Sequence, residues 1–76
     1  MSVPDNISAT GEWIYAEHYK TRLEREHPDD YVAIDVITGE AYVAEFPELA
    51  LGEAITKAPT GVFYLIRIGA PAAFYG

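Results

Sequence analysis

The segment Val62 to Ile68 is apolar on both of its strand faces, with Val62, Tyr64, Ile66 and Ile68 on one and Phe63 and Leu65 beside Arg67 on the other. Successive side chains of a strand point to opposite sides of a sheet, so a strand of this composition needs cover above and below. In a chain of 76 residues that demand is severe. A domain so small buries only about 60% of the surface its unfolded form exposes, and it has one core. Half of the residues are hydrophobic, too many for a disordered chain, so the core must be built around this strand.

The remaining elements follow from period. From Glu12 to about Glu26 there is no proline or glycine, and Tyr15, Ala16, Tyr19 and Leu23 recur at spacings of three and four, the stripe of an amphipathic helix. Glu17, Lys20 and Glu24 occupy its solvated side, and Pro28 ends it. Trp13 and Ile14 fall off the stripe; they are either a hydrophobic staple near the start of the helix or exposed anchors for a partner. Tyr31 to Ile37 alternates Val32, Ile34 and Val36 against Tyr31, Ala33 and Asp35 and reads as a strand. Ile37, Thr38 and Gly39 fit a three-residue hairpin loop with Gly39 in the left-handed region. That loop sets Val36 opposite Glu40, Ile34 opposite Tyr42, Ala33 opposite Val43 and Val32 opposite Ala44, in a second strand from Ala41 to Phe46. Pro47 suits a first helical position, and Leu51, Ala54, Ile55 and Ala58 share a stripe of a short second helix that Pro59, Thr60 and Gly61 stop.

The order helix, strand, strand, helix, strand predicts a small two-layer α+β domain with a three-stranded sheet and both helices on one face. Residues 1–10 are expected to be a mobile arm, 11–69 a single α+β domain and 70–76 an apolar C-terminal tail. Two helices on one face leave Ala33, Val43, Phe63 and Leu65 uncovered on the other. The C-terminal tail, through Phe74 and Tyr75, or a second chain would have to shield them. Trp13, Val43, Phe63, Leu65, Phe74 and Tyr75 are therefore the candidate interface residues.

Twelve acids against five bases give a net charge of −7, which opposes direct contact with nucleic-acid phosphates or anionic lipid and suits a basic partner. The absence of cysteine excludes a disulfide framework and a thiolate zinc site, and points to a reducing compartment, the cytoplasm. No uninterrupted apolar run of about 18 residues exists to cross a bilayer, and Met1 to Ala9 lacks the basic and apolar blocks of a signal peptide.

Tyr31, Val32, Ala33, Ile34 and Asp35, then Gly39 and Glu40, Val43 and Ala44, and finally Arg67, Ile68 and Gly69 resemble a family of short uncharacterised prokaryotic proteins. That family has an aromatic-V-A-I strand, a G-E turn, a V-A strand, a helix and a closing strand. The resemblance runs from about Glu12 to Gly69; it implies this fold and carries no activity or catalytic residue with it.

Residues able to carry chemistry are few. His27, Asp29 and Asp30 form the densest group of metal-ligand types, yet a selective site needs three or four converging ligands and loop solvation explains them. His18 could pair with Glu17 or Glu45 as an acid and base, but such a pair also needs a pocket. Tyr31, Asp35 and Glu45 share a strand face where alternation alone predicts polar residues. Ser2 and Ser8 lie in the arm, and Gly52, Gly61 and Gly69 are isolated, so neither a serine nucleophile nor a phosphate loop is indicated. No catalytic residue, cofactor or metal is assigned, and an enzyme is not expected. The composition fits a small protein-interaction module, a homodimer or an accessory to another protein. The alternatives are an acidic inhibitor or mimic that occupies a basic nucleic-acid-binding protein, and a small enzyme or metal-binding subunit with its site at a dimer interface.

Overall fold

The computed structural model describes residues 6–69. The expected tail at 70–76, with Phe74 and Tyr75, lies outside the described residues, as do the first five positions of the arm. Within them the chain forms α1 (Ile7–Ile14), a π-helical turn (Tyr15–Tyr19), α2 (Lys20–Glu26), β1 (Tyr31–Asp35), β2 (Ala41–Ala44), α3 (Pro47–Lys57) and β3 (Phe63–Arg67). The α1 segment, the π turn and α2 follow one another directly as the first helix, so the domain is a small α+β unit of two helical elements and three strands.

The first helix starts earlier than its period suggests, and Ile7 to Thr10 belong to it rather than to the arm. Asn6 is the reason: its backbone is extended and its side chain accepts from the amide of Ala9 at 3.0 Å. That bond satisfies one of the donors a helix start leaves orphaned. Gly11, in the helix interior, reads locally as a breaker but is a contact residue. A Cβ there would lie 2.6 to 2.8 Å from three atoms of Tyr64, so the absent side chain lets α1 rest directly on β3. The Tyr64 hydroxyl closes the contact by donating to Glu12 Oε2 at 2.8 Å.

In the π turn the amide of Lys20 donates to the carbonyl of Tyr15, one residue further back than in an α-helix. The inserted residue changes the helical phase. On an unbroken α-helix Ile14 and Leu23, nine residues apart, would stand about 180° from each other; one extra residue reduces this to about 80°. Ile14, Tyr15 and Leu23 consequently enter one core with Val32, Ile34 and Ile68. Ile14 is thus core rather than off the stripe, while Ala16, placed on it by period, is exposed.

The sheet order is β2-β1-β3, antiparallel throughout, with β1 in the centre. The hairpin register differs by one residue from the expected one: Val32 faces Val43, Ala33 faces Tyr42 and Ile34 faces Ala41. Two interactions cause the shift. The Asp35 carboxylate accepts from the amides of Ile37 at 2.9 Å and Thr38 at 3.4 Å, a side-chain turn that starts the loop one residue sooner. The amide of Val36 is meanwhile taken by the carbonyl of Val62 at 2.9 Å, so Val36 pairs toward β3 and cannot face Glu40. Asp35 closes the loop instead, its amide donating to Glu40 at 2.9 Å, and Gly39 holds the expected left-handed conformation at φ 83°. Asp35 is 1% exposed and its carboxylate serves this turn. Asp35→Ala is expected to lower stability by about 2 kcal/mol in urea denaturation, the scale of hydrogen bonds to a carboxylate, and Asp35→Asn by less because one acceptor oxygen remains.

The helices lie on opposite faces of the sheet rather than together on one. Because β3 sits on the far side of β1 from β2, α3 has to cross over β1 to connect them, and it covers the face it crosses. Ala50 and Ala54, fully buried, set the backbone of α3 close against Ala33, with Tyr31, Tyr42, Ala44, Leu51, Phe63 and Leu65 around them. Ile55, expected on the buried stripe, is 55% exposed. The first helix covers the other face over Val32 and Ile34, with Val43 and Ile66 packed beside it. The closing strand therefore has a helical element over each face, with Phe63 to Ile66 partly buried.

Candidate interaction surface

The same π turn that buries Ile14 assembles a group of exposed rings. Trp13 and His18, five residues apart, would stand about 140° from each other on an α-helix; the extra residue brings them to about 40°. Their rings meet edge to face at 5.9 Å. His18 lies edge-on to Tyr19 at 6.5 Å, and the Arg22 guanidinium sits 5.6 Å from the centre of the Tyr19 ring. The row Trp13, His18, Tyr19, Arg22 runs along the first helix, and Trp13 is 60% exposed. A helix starting at Ile7 leaves Trp13 too far inside to staple its entry, and the indole stands exposed instead.

The row is held at its centre. Tyr19 donates its hydroxyl to the carbonyl of Gly39 at 2.6 Å, fastening the helix to the hairpin loop. Burial, and then the charge of Glu40, raise the pKa of Tyr19 and keep it a donor. On the inner side Tyr15 donates to Glu24 Oε2 at 3.1 Å, and Lys20 reaches the same oxygen at 2.7 Å. Burial first, then the hydrogen bond to Glu24 and its charge, push the Tyr15 phenol up to about 12. The Lys20 hydrogen bond holds the Glu24 carboxyl below its ordinary range.

The other interface candidates fall elsewhere. Val43 packs toward the first helix, on the opposite face from Phe63 and Leu65, because the one-residue change of register reverses its side. Phe63 and Leu65 are half-buried beneath α3, and Phe63 meets Tyr42 edge to face at 6.4 Å. Their cover is α3, which removes the reason for which an outside partner was expected there.

The chemical candidates also separate. His27 Nδ1 lies 3.3 Å from Asp30 Oδ2, while Asp29, left-handed at φ 69°, turns outward to Arg67 at 3.8 Å. Among the described residues no three His, Cys, Asp or Glu side chains come together to hold a metal ion. His18 faces rings rather than Glu17 or Glu45. Asp35 is enclosed in its turn, apart from the surface where it could join Tyr31 and Glu45. No helix among the described residues is long and apolar enough to cross a membrane.

No family model matches this chain, and the searches of curated proteins and of solved structures likewise return no match. A functional reading rests on the chain's own residues. The aromatic row was only half legible in the sequence: Trp13 stood out as off the stripe, but its proximity to His18 depends on a π turn that no spacing rule announces.

Proposed function

We propose that the chain is a small protein-interaction module that docks on another protein through Trp13, His18, Tyr19 and Arg22. The observation that carries this reading is the large exposed indole held edge-on by a neighbouring ring. Tryptophan, tyrosine and arginine dominate binding energy at protein interfaces, and a row already fixed by contacts among its members loses little freedom on docking. No ion pair among the described residues engages Arg22, which leaves its guanidinium to an acceptor on the partner. The complementary surface is an apolar socket for the indole beside a carboxylate or carbonyl for Arg22. Three of the five bases, Lys20, Arg22 and Arg25, lie in α2, beside Glu24 and Glu26.

Trp13 is the only tryptophan, so its emission reports on this surface directly. With a partner recovered by affinity capture, Trp13→Ala and Arg22→Ala are each expected to weaken binding by about 30-fold or more, the range of interface hot spots, without lowering the melting temperature. Lys57→Ala, at the end of α3, is expected to bind as the unaltered chain does. Equal binding by all of these variants, or no blue shift of Trp13 emission in the complex, would place the interface elsewhere.

A further inference from the structure

The outer edge of β2 offers backbone groups that the described chain does not use. The hydrogen bond from the Asp35 amide to Glu40 marks that couple as a bonded pair of the ladder, and in an antiparallel pair bonded and non-bonded couples alternate. Ala33 with Tyr42 and Tyr31 with Ala44 are then the other bonded couples, and the amides and carbonyls of Ala41 and Val43 point away from β1. Among the described residues no strand or side chain bonds to them. Exposed edges are commonly protected by a charge, a proline or a bulge. Ala41–Ala44, AYVA, has neither charge nor proline, and its pairing with β1 is continuous.

We propose that this edge pairs with the same edge of a second copy of the chain about a two-fold axis at Tyr42, joining two three-stranded sheets into one. The edge is complementary to itself in that register. Ala41 lies opposite Val43 of the partner subunit and Val43 opposite the partner subunit's Ala41, so all the outward groups of both residues are bonded at once. Charges also permit it: Glu40 falls opposite Ala44 of the partner subunit and Glu45 opposite the partner subunit's Gly39, so no carboxylate faces another. Phe46, two residues after the end of β2 and 52% exposed, adds apolar surface at each end of the junction. Stable dimers bury about 1,200–2,000 Å², and a strand pair this short falls toward the low end, so association is weak and depends on concentration. The junction adjoins the aromatic row at Gly39, which accepts from Tyr19, but neither proposal depends on the other.

The chain has no cysteine, which makes disulfide trapping unambiguous. At the axis the two Tyr42 positions form a non-bonded couple with Cα atoms about 4.5 Å apart, within disulfide range. Equivalent residues at 40 or at 44 would be separated by four positions, roughly 13 Å. Under mild oxidation Tyr42→Cys is expected to give a covalent dimer while Glu40→Cys and Ala44→Cys remain monomeric. Equal trapping at all three positions, or none at 42, overturns the pairing. Sedimentation of the unaltered chain is expected to show a dimer at high concentration. Ala41→Pro, which removes an outward donor and leaves the β1 ladder intact, is expected to abolish it. Loss of the dimer with an unchanged far-UV spectrum supports the edge, and a dimer that persists in a folded Ala41→Pro chain overturns it. If that variant does not fold, trapping at 42 against 40 and 44 decides.

Discussion

Gly11→Ala is expected to destabilise the domain by about 2 kcal/mol and Gly52→Ala to stabilise it by about 1 kcal/mol, although both replace a glycine inside a helix with the best helix former. Propensity alone favours alanine at each position by about 1 kcal/mol. At Gly52 nothing lies within 4 Å of the new methyl, and the gain stands. At Gly11 the methyl would overlap Tyr64 at its Cβ as well as its ring, at 2.6 to 2.8 Å. A ring can swing aside, but a Cβ moves only with its backbone, and that backbone is paired to β1 at Ile34. Overpacking of this kind costs up to about 3 kcal/mol, more than the propensity returns. For a domain this small the loss should lower the melting temperature by roughly 10 °C, and the opposite signs at the two glycines should be plain in parallel thermal melts. A stabilised Gly11→Ala chain would mean that α1 does not rest on β3 as described.

The second large effect concerns alkali. The Tyr15 hydroxyl, raised to about 12 by burial and by the Glu24 carboxylate, ionises some two units above an ordinary phenol. The unfolded chain releases this proton near 10, so the stabilisation tied to the protonated phenol is complete below pH 10 and is lost as pH rises toward 12. Two units correspond to about 2–3 kcal/mol, applicable here because Tyr15 is only 7% exposed. Denaturation midpoints should fall across that window, and tyrosinate absorbance should show Tyr15 titrating late, with Tyr19 also raised above an ordinary phenol. Glu24→Gln removes the charge that opposes ionisation and is expected to bring the late transition down. A midpoint unchanged between pH 10 and 12 would contradict the buried Tyr15 contact.

The row that forms the candidate surface was partly visible beforehand. Trp13 departed from the apolar stripe, a departure that needed either a staple or a partner. Whether a staple was possible depended on where the helix began, and whether the indole met His18 depended on how its turns were phased. The Asn6 cap answers the first question and could have been recognised from residue type. The π turn answers the second and could not, since a helix inserts an extra residue when the strain of doing so is outweighed by bringing Ile14 and Leu23 to the same core.

By itself the sequence determined the kind and order of the elements, because helix and strand periods, Pro28, Pro47 and Gly39 act through neighbours a few residues away. It also determined that Val62 to Ile68 needs cover on two sides. Only the tertiary structure decided what supplies it. The capture of Val36 by Val62 and the Asp35 turn fixed the hairpin register, and with it the side on which Val43 lies. The placement of β3 beyond β1 obliged α3 to cross one face and left the other to the first helix. The Asp35 turn acts over two and three residues, but the Val36–Val62 bond and the strand order join residues far apart in the chain, where local periodicity carries no information and the closing of a shared core does.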